Sequence, residues 1–117
     1  MTTLLALYRR PDAGSEAQAT FESRYTTEHL PLVAGTPGLR ETRVQRVVEA
    51  LGAETDLILA TWMRFDDRES LDAGLRSDAM RAAGRNLREI APGLSTLYVL
   101  EDVPEMTAAA SRGMDTV

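Results

Sequence analysis

An α+β domain of element order β-α-β-β-α-β is predicted by three features of this 117-residue chain. Residues 3–9, 57–65 and 95–102 are short apolar runs rich in strand-forming side chains. Residues 15–29 and 77–91 carry apolar side chains at helical spacing instead. Turn signals, Pro11-Asp12-Ala13-Gly14, Pro37-Gly38 and Pro92-Gly93, separate the two kinds of segment.

The first strand, 3–9, is apolar on both alternating sets, so both of its faces are expected to be covered. The first helix is predicted to start at Ser15, which with Gln18 has the S-x-x-Q form of a capping box. Ala17, Phe21, Tyr25 and His29 then follow at steps of four and form one stripe. Pro31 disfavours helical geometry at Leu30, so the helix is expected to end or kink there. Residues 39–48 read as a second strand with charged side chains, including Arg40, Glu41, Arg43 and Arg46, which suit a sheet edge. A short link around Gly52 leads to the third strand, 57–65. Asp66-Asp67 caps a helix from Arg68, and Ser77 or Asp78 caps a longer one with Met80, Ala83, Leu87 and Ile90 on one stripe. The fourth strand, 95–102, completes a ferredoxin-like arrangement with a four-stranded antiparallel sheet. The domain is expected to span 1–103, and 104–117, which has no periodic pattern, to form a C-terminal tail.

With both helices on one face of the sheet, the other face is apolar and bare in a monomer. That predicts a homodimer through the face opposite the helices. The aliphatic set Leu5, Leu7, Leu59, Thr61, Met63, Leu97 and Val99 is assigned to the helix side. Leu4, Ala6, Tyr8, Ile58, Ala60, Trp62, Tyr98 and Leu100, with three of the six aromatics, are assigned to the opposite face. There they would line a ligand pocket between two sheets: aromatics with polar tips bury area and present a hydrogen-bonding group, and Ala6 and Ala60 leave room beside them.

Composition narrows the function. There are no cysteines and one histidine, so no thiolate chemistry and no metal site are expected. The net charge is −5, without the basic footprint of a nucleic-acid binder. No apolar run approaches the ~20 residues of a membrane span. The first residues lack a secretory pattern, so a cytoplasmic protein is expected. No Gly-rich nucleotide loop follows a strand, and no cofactor is expected. His29 has the one side chain whose ordinary pKa lies near neutrality, which makes it the candidate general acid or base. Tyr25, one turn earlier, is the candidate proton donor or carbonyl-orienting group, and Arg43 a candidate partner for an acidic substrate.

Three segments also resemble one known family. Leu7-Tyr8-Arg9-Arg10-Pro11-Asp12, then Phe21-x-x-x-Tyr25-x-x-x-His29-x-Pro31-Leu32, then Pro37-Gly38-Leu39 are similar to the EthD family, in particular its small "reductase" subgroup, and the similarity runs from about residue 4 to 102. The resemblance implies a ferredoxin-like fold dimerising into an α+β barrel. Members occur near ether-degradation and natural-product gene sets, and the subgroup's label does not establish a redox reaction. Related sequences often carry an acid and a Phe in the second long helix, where this chain has Asn86 and Ile90. The reading that follows is a cofactor-independent enzyme acting on an apolar carbonyl, aromatic or lactone-like metabolite in a degradative or natural-product pathway. His29, assisted by Tyr25, would transfer a proton in an isomerase, cyclase or lyase reaction, with Tyr8, Trp62, Tyr98, Ala6, Ala60 and Arg43 around the substrate. The alternatives are a non-catalytic ligand binder or accessory protein to an oxygenase, and a cofactor-free monooxygenase of the antibiotic-biosynthesis type relying on Trp62 and Tyr8.

Overall fold

A computed structural model of the chain describes residues 1–108. Strand β1 (Thr2–Arg9) leads to helix α1 (Ser15–Arg24), which runs through a π-helical turn (Tyr25–His29) into α2 (Leu30–Ala34). Strands β2 (Glu41–Arg46) and β3 (Leu57–Phe65), helices α3 (Arg68–Leu75) and α4 (Asp78–Ile90) and strand β4 (Ser95–Glu101) follow. The sheet order is β2-β3-β1-β4 with every neighbouring pair antiparallel, so the two most apolar strands are central and charged β2 is an edge. The fold is the ferredoxin-like α+β fold that the element order predicts. Beyond β4, Pro104–Met106 forms a single 3-10 turn, and the rest of the expected tail, from 109, lies outside the described residues.

The caps on the later helices form as predicted. Asp67 accepts from the Ser70 N–H at 2.8 Å, and Ser77 accepts from the Met80 N–H at 3.2 Å. The first helix departs from expectation at both ends. Its N-cap is Gly14, at φ 102°, and Ser15 makes no capping bond. A positive φ costs glycine little, so the chain turns one residue early and the Gln18 N–H reaches the Gly14 carbonyl at 3.0 Å. Gln18 donates instead to Glu22, at 3.0 Å. At the other end the helix does not stop at Leu30. The Leu30 N–H reaches back five residues to the Tyr25 carbonyl, and helix continues through Pro31 to Ala34. Proline lacks an N–H and its ring crowds the carbonyl four residues back. The wider π turn relieves both demands.

That turn also keeps the predicted stripe in phase. A four-residue step overshoots an ideal turn by about 40°. A π turn holds more residues and undershoots, so Phe21, Tyr25 and His29 all end buried on the sheet side.

The face assignment of β1 is corrected by the register. Leu4 pairs with Met63, Ala6 with Thr61 and Tyr8 with Leu59, whereas Leu5 pairs with Trp62 and Leu7 with Ala60. Directly paired residues share a face. Leu4, Ala6 and Tyr8 therefore lie under the helices with the odd-numbered residues of β3, and Leu5 and Leu7 lie on the bare face with Ala60, Trp62, Tyr98 and Leu100. The paired residues of the β3 and β4 sets fall as predicted, but Ile58, assigned to the bare face, is skipped where the register shifts between Tyr8 and Arg9 and is buried in the core cluster. The Tyr8 hydroxyl lies beneath the helices, where it accepts from Tyr25.

The core centres on Phe65, Leu71, Val33, Tyr8 and Thr61, all essentially inaccessible. Helix α3 approaches β3 closely at Gly74, where an added Cβ would sit 2.9 Å from the Phe65 ring and 3.0 Å from the Thr36 methyl. Thr36 is buried, and among the described residues its hydroxyl has no partner. A buried orphan hydroxyl costs stability, of order 1–3 kcal/mol. Thr36→Val is accordingly expected to raise the urea midpoint with an unchanged m-value, the reverse of the usual outcome for a buried substitution. A lower midpoint would show that the hydroxyl is satisfied.

Candidate functional site

A cavity of about 650 Å³ lies between α4 and the helix side of the sheet. Leu4, Tyr8, Met63 and Leu97 from the strands line its floor, and Met80, Ala83 and Leu87 on α4 form the apolar wall across from them. His29, Tyr8 and Ser95 add polar side chains to the lining, and Arg81, Arg85 and Arg88 stand on its α4 side. The apolar stripe of α4 meets the sheet but cannot fill the space beside β4, whose Leu97 and Val99 remain exposed although they face the helix side.

Four rings and one hydroxyl connect the cavity to the core. The Tyr8, Phe21 and Tyr25 ring centroids lie 5.0–5.6 Å apart, and the His29 imidazole stacks on Tyr25 at 5.0 Å and 22°. Tyr25 O–H donates to the Tyr8 hydroxyl at 3.1 Å, and the Thr61 hydroxyl lies 2.6 Å from Tyr25 Oη. Having one proton, Tyr25 gives it to Tyr8 and accepts from Thr61. The Tyr8 proton then has no acceptor among the described residues and is available to a ligand. Burial, above all, pushes both phenols up from their ordinary value, so they stay neutral donors at physiological pH.

The tautomer of His29 follows from its neighbours. Arg24 donates to Glu28 at 2.8 and 3.0 Å and holds that carboxyl below its usual range, so Glu28 is ionised and can only accept. Asn86 must present its NH2 to Glu28, at 2.9 Å, which turns its Oδ1 toward His29 Nδ1 at 3.2 Å. The proton of a neutral imidazole is thereby fixed on Nδ1, and the lone pair is on Nε2. Burial lowers the His29 pKa from its ordinary 6.5, against smaller raising effects of Asn86 and the Ala83 carbonyl. The ring is therefore neutral at pH 7 and able to accept a proton.

The sign of this shift gives a prediction. The unfolded chain binds a proton at His29 more readily than the folded chain, so the stability that neutral His29 contributes is present above about 6.5 and is lost as pH falls through the lower folded value. Asn86→Asp puts a carboxylate beside Nδ1 and is expected to raise the His29 pKa. With one histidine in the chain, a single imidazole resonance followed by NMR against pH reports it directly. An unmoved titration midpoint would show that Asn86 does not govern the ring.

Of the residues predicted for the site, His29, Tyr25 and Tyr8 come together here. Ala6 lies under the helices opposite Thr61 in register. Trp62, Ala60, Tyr98 and Arg43 lie across the sheet on the bare face, where Arg43 pairs with Trp62 in register and binds Glu41 at 3.0 Å. Tyr8 and Ala6 thus belong to the helix side and not to the face opposite, and Trp62 and Arg43 line a smaller cavity of about 300 Å³ on the bare face. Sequence reasoning missed Thr61, whose signal is a hydroxyl at an inward position of an apolar strand. It also missed the role of Asn86, and the three arginines, whose spacing of four and three puts them on one side of α4. Among the described residues no three His, Cys, Asp or Glu side chains gather into a metal-binding group, and no helix is long and apolar enough to cross a membrane.

No family model matches the chain, and no curated protein matches it significantly. Solved structures do. An ethyl tert-butyl ether (EthD) family protein from Bacillus halodurans C-125 is 36% identical over 88% of this chain and 99% of its own, with a TM-score of 0.78. A dimeric ferredoxin-like protein from Bacteroides fragilis is 19% identical over 86% and 95%, at 0.64. SnoaB, a cofactor-independent oxygenase from Streptomyces nogalater, is 16% identical over 97% of each chain, at 0.60. The latter two identities bear on the fold alone.

Proposed function

The chain belongs to the EthD family, and from that premise we propose a small-molecule enzyme that moves a proton on a carbon acid bound between α4 and the sheet. The observation that supports the reading is that His29 and Tyr8 line one largely apolar cavity, the imidazole held at Nδ1 by Asn86 and the Tyr8 hydroxyl accepting from Tyr25. Nε2 takes the proton from the carbon next to a carbonyl, leaving an imidazolium and an enolate. Tyr8 donates a hydrogen bond to the enolate oxygen, strengthened by the bond it receives from Tyr25. Asn86 Oδ1 holds the imidazolium's Nδ1–H in place while Nε2 returns its proton to a carbon of the product. The step needs no external oxidant or reductant, and the substrate class it fits is an apolar aromatic ketone or lactone.

The test is deuterium wash-in. Aromatic ketones, lactones and polyketide-like phenols are incubated with the protein in D2O, and exchange at the activated carbon is followed by NMR. Exchange above the buffer rate in one class supports the reading. Binding without exchange in every class favours a ligand-binding or accessory role. Oxygen uptake coupled to exchange favours an oxygenase, which begins from the same carbanion. In that case Trp62 and Tyr8 do not act together within one protomer, since the sheet separates them.

The bare sheet face is proposed as a homodimer interface; the ferredoxin-like neighbour from Bacteroides fragilis is itself dimeric. Tyr98 and Leu100 are 47% and 39% exposed there, beside half-buried Leu5, Leu7 and Trp62. Leu100→Glu is expected to convert a dimer to monomer in sedimentation equilibrium and to shift the Trp62 emission to the red. A monomeric wild type sinks the interface.

A further inference from the structure

The cavity has an apolar floor and a basic rim, and the rim is unexplained by the protein's own charges. Arg81, Arg85 and Arg88 lie along one side of α4. Six other arginines each hold a carboxylate within 3.8 Å, while Arg9, Arg10 and Arg76, scattered elsewhere in the chain, hold none among the described residues. Arg81 reaches only the fully exposed Asp78, at 3.7 Å, and Arg85 and Arg88 have no carboxylate partner among the described residues. This is so although acidic residues outnumber basic ones by 18 to 13. Arg88 does not simply extend into water. Its Nη1 lies 3.7 Å from where a Cβ on Gly84 would be, folded back over another residue that lines the cavity. Three guanidinium groups beside one opening on a chain of net charge −5 form a local positive field.

We infer that the ligand of this cavity is an anionic amphiphile. Its apolar carbonyl-bearing body rests on Leu4, Met63 and Leu97 near His29, and a carboxylate or phosphate terminus is held at the rim by Arg81, Arg85 and Arg88. Guanidinium forks match either group in planar, two-point fashion. The rim has solvent access, so the anion contributes discrimination of about tenfold at low salt and less as salt screens it. The inference rests on the cavity assigned under the proposed function but not on the proton transfer there.

The experiment compares binding of three matched probes by calorimetry: an ω-aryl-ketone carboxylic acid, its methyl ester, and the corresponding phosphate monoester. Each is titrated into the wild type and into Arg85→Glu/Arg88→Glu, at 20 mM and 300 mM salt. The expected result is roughly tenfold tighter binding of an anionic probe than of the ester. That preference should shrink in high salt and vanish or reverse in the double variant, while ester affinity holds. The ester serves as the control for folding. Whichever anion binds more tightly names the terminus. Equal binding of acid, phosphate and ester to the wild type overturns the inference and leaves the His29 chemistry standing. Failure of all three probes to bind overturns the cavity assignment on which both depend.

Discussion

His29→Gln is expected to lower the rate of deuterium wash-in by a factor of 10² to 10⁴, the usual contribution of a positioned general base. Substrate affinity should change little, because the imidazole covers only a small part of a largely apolar cavity. Glutamine keeps a polar side chain of similar length and can still meet Asn86, so a loss of rate in a protein of unchanged melting temperature isolates the lone pair on Nε2. The pH profile adds an independent check. Activity in the wild type should fall on the acid side below about 6.5, because burial holds the His29 pKa under that ordinary value. Tyr8→Phe removes the proposed donor but not the base. It should lower the rate by a smaller factor and leave the acid limb where it is. Wash-in that survives His29→Gln at the wild-type rate would remove His29 from the mechanism.

Phe65→Ala is expected to cost about 3–5 kcal/mol, the range for deleting a buried aromatic side chain. Phe65 is 0% exposed at the end of β3, with Gly74 of α3 pressed against its ring edge. Gly74→Ala alone should cost about 1–3 kcal/mol, since neither the fully enclosed ring nor Thr36 can withdraw. The two changes should not add. With the ring gone, the new methyl group no longer meets Phe65 and only its contact with the Thr36 methyl remains, so the double variant should lose less than the sum of the two single changes. Urea denaturation of the four proteins in the cycle measures the coupling. Additive losses would show that α3 does not pack on β3 at this point.

How much of this was legible in the sequence differs between elements and faces. Strand and helix positions followed from periodicity and from cap residues such as Asp67 and Ser77, because those signals are local. The faces were only partly legible. Alternation tells which residues of one strand share a side, but the register of β1 against β3 is a property of two segments at once. Apolar on both sets, β1 offered nothing to break the tie, and Tyr8 and Ala6 were placed on the wrong side. His29 and Tyr25 were legible as a pair because they stand four apart on one helix. Thr61 and Asn86 were not, since they reach that pair from a strand and a helix far along the chain. The cavity was hidden for the same reason: its floor, wall and rim come from β1, β3, β4 and α4, and no single segment records the gap among them.

The π turn at Tyr25–His29 makes the placement of the base a matter of counting as well as chemistry. One surplus residue is stored in that turn. Removing a single codon among those for Thr26, Thr27 and Glu28 would let the segment close into ordinary α-helix with the surplus gone, and the residues downstream would keep nearly their present phase relative to α1. One codon added between Arg24 and His29 has no such store to enter: it turns everything downstream by about 100° and carries His29 out of the cavity. A substitution scan of these three exposed or half-exposed positions would find little, and a one-residue insertion would find the site.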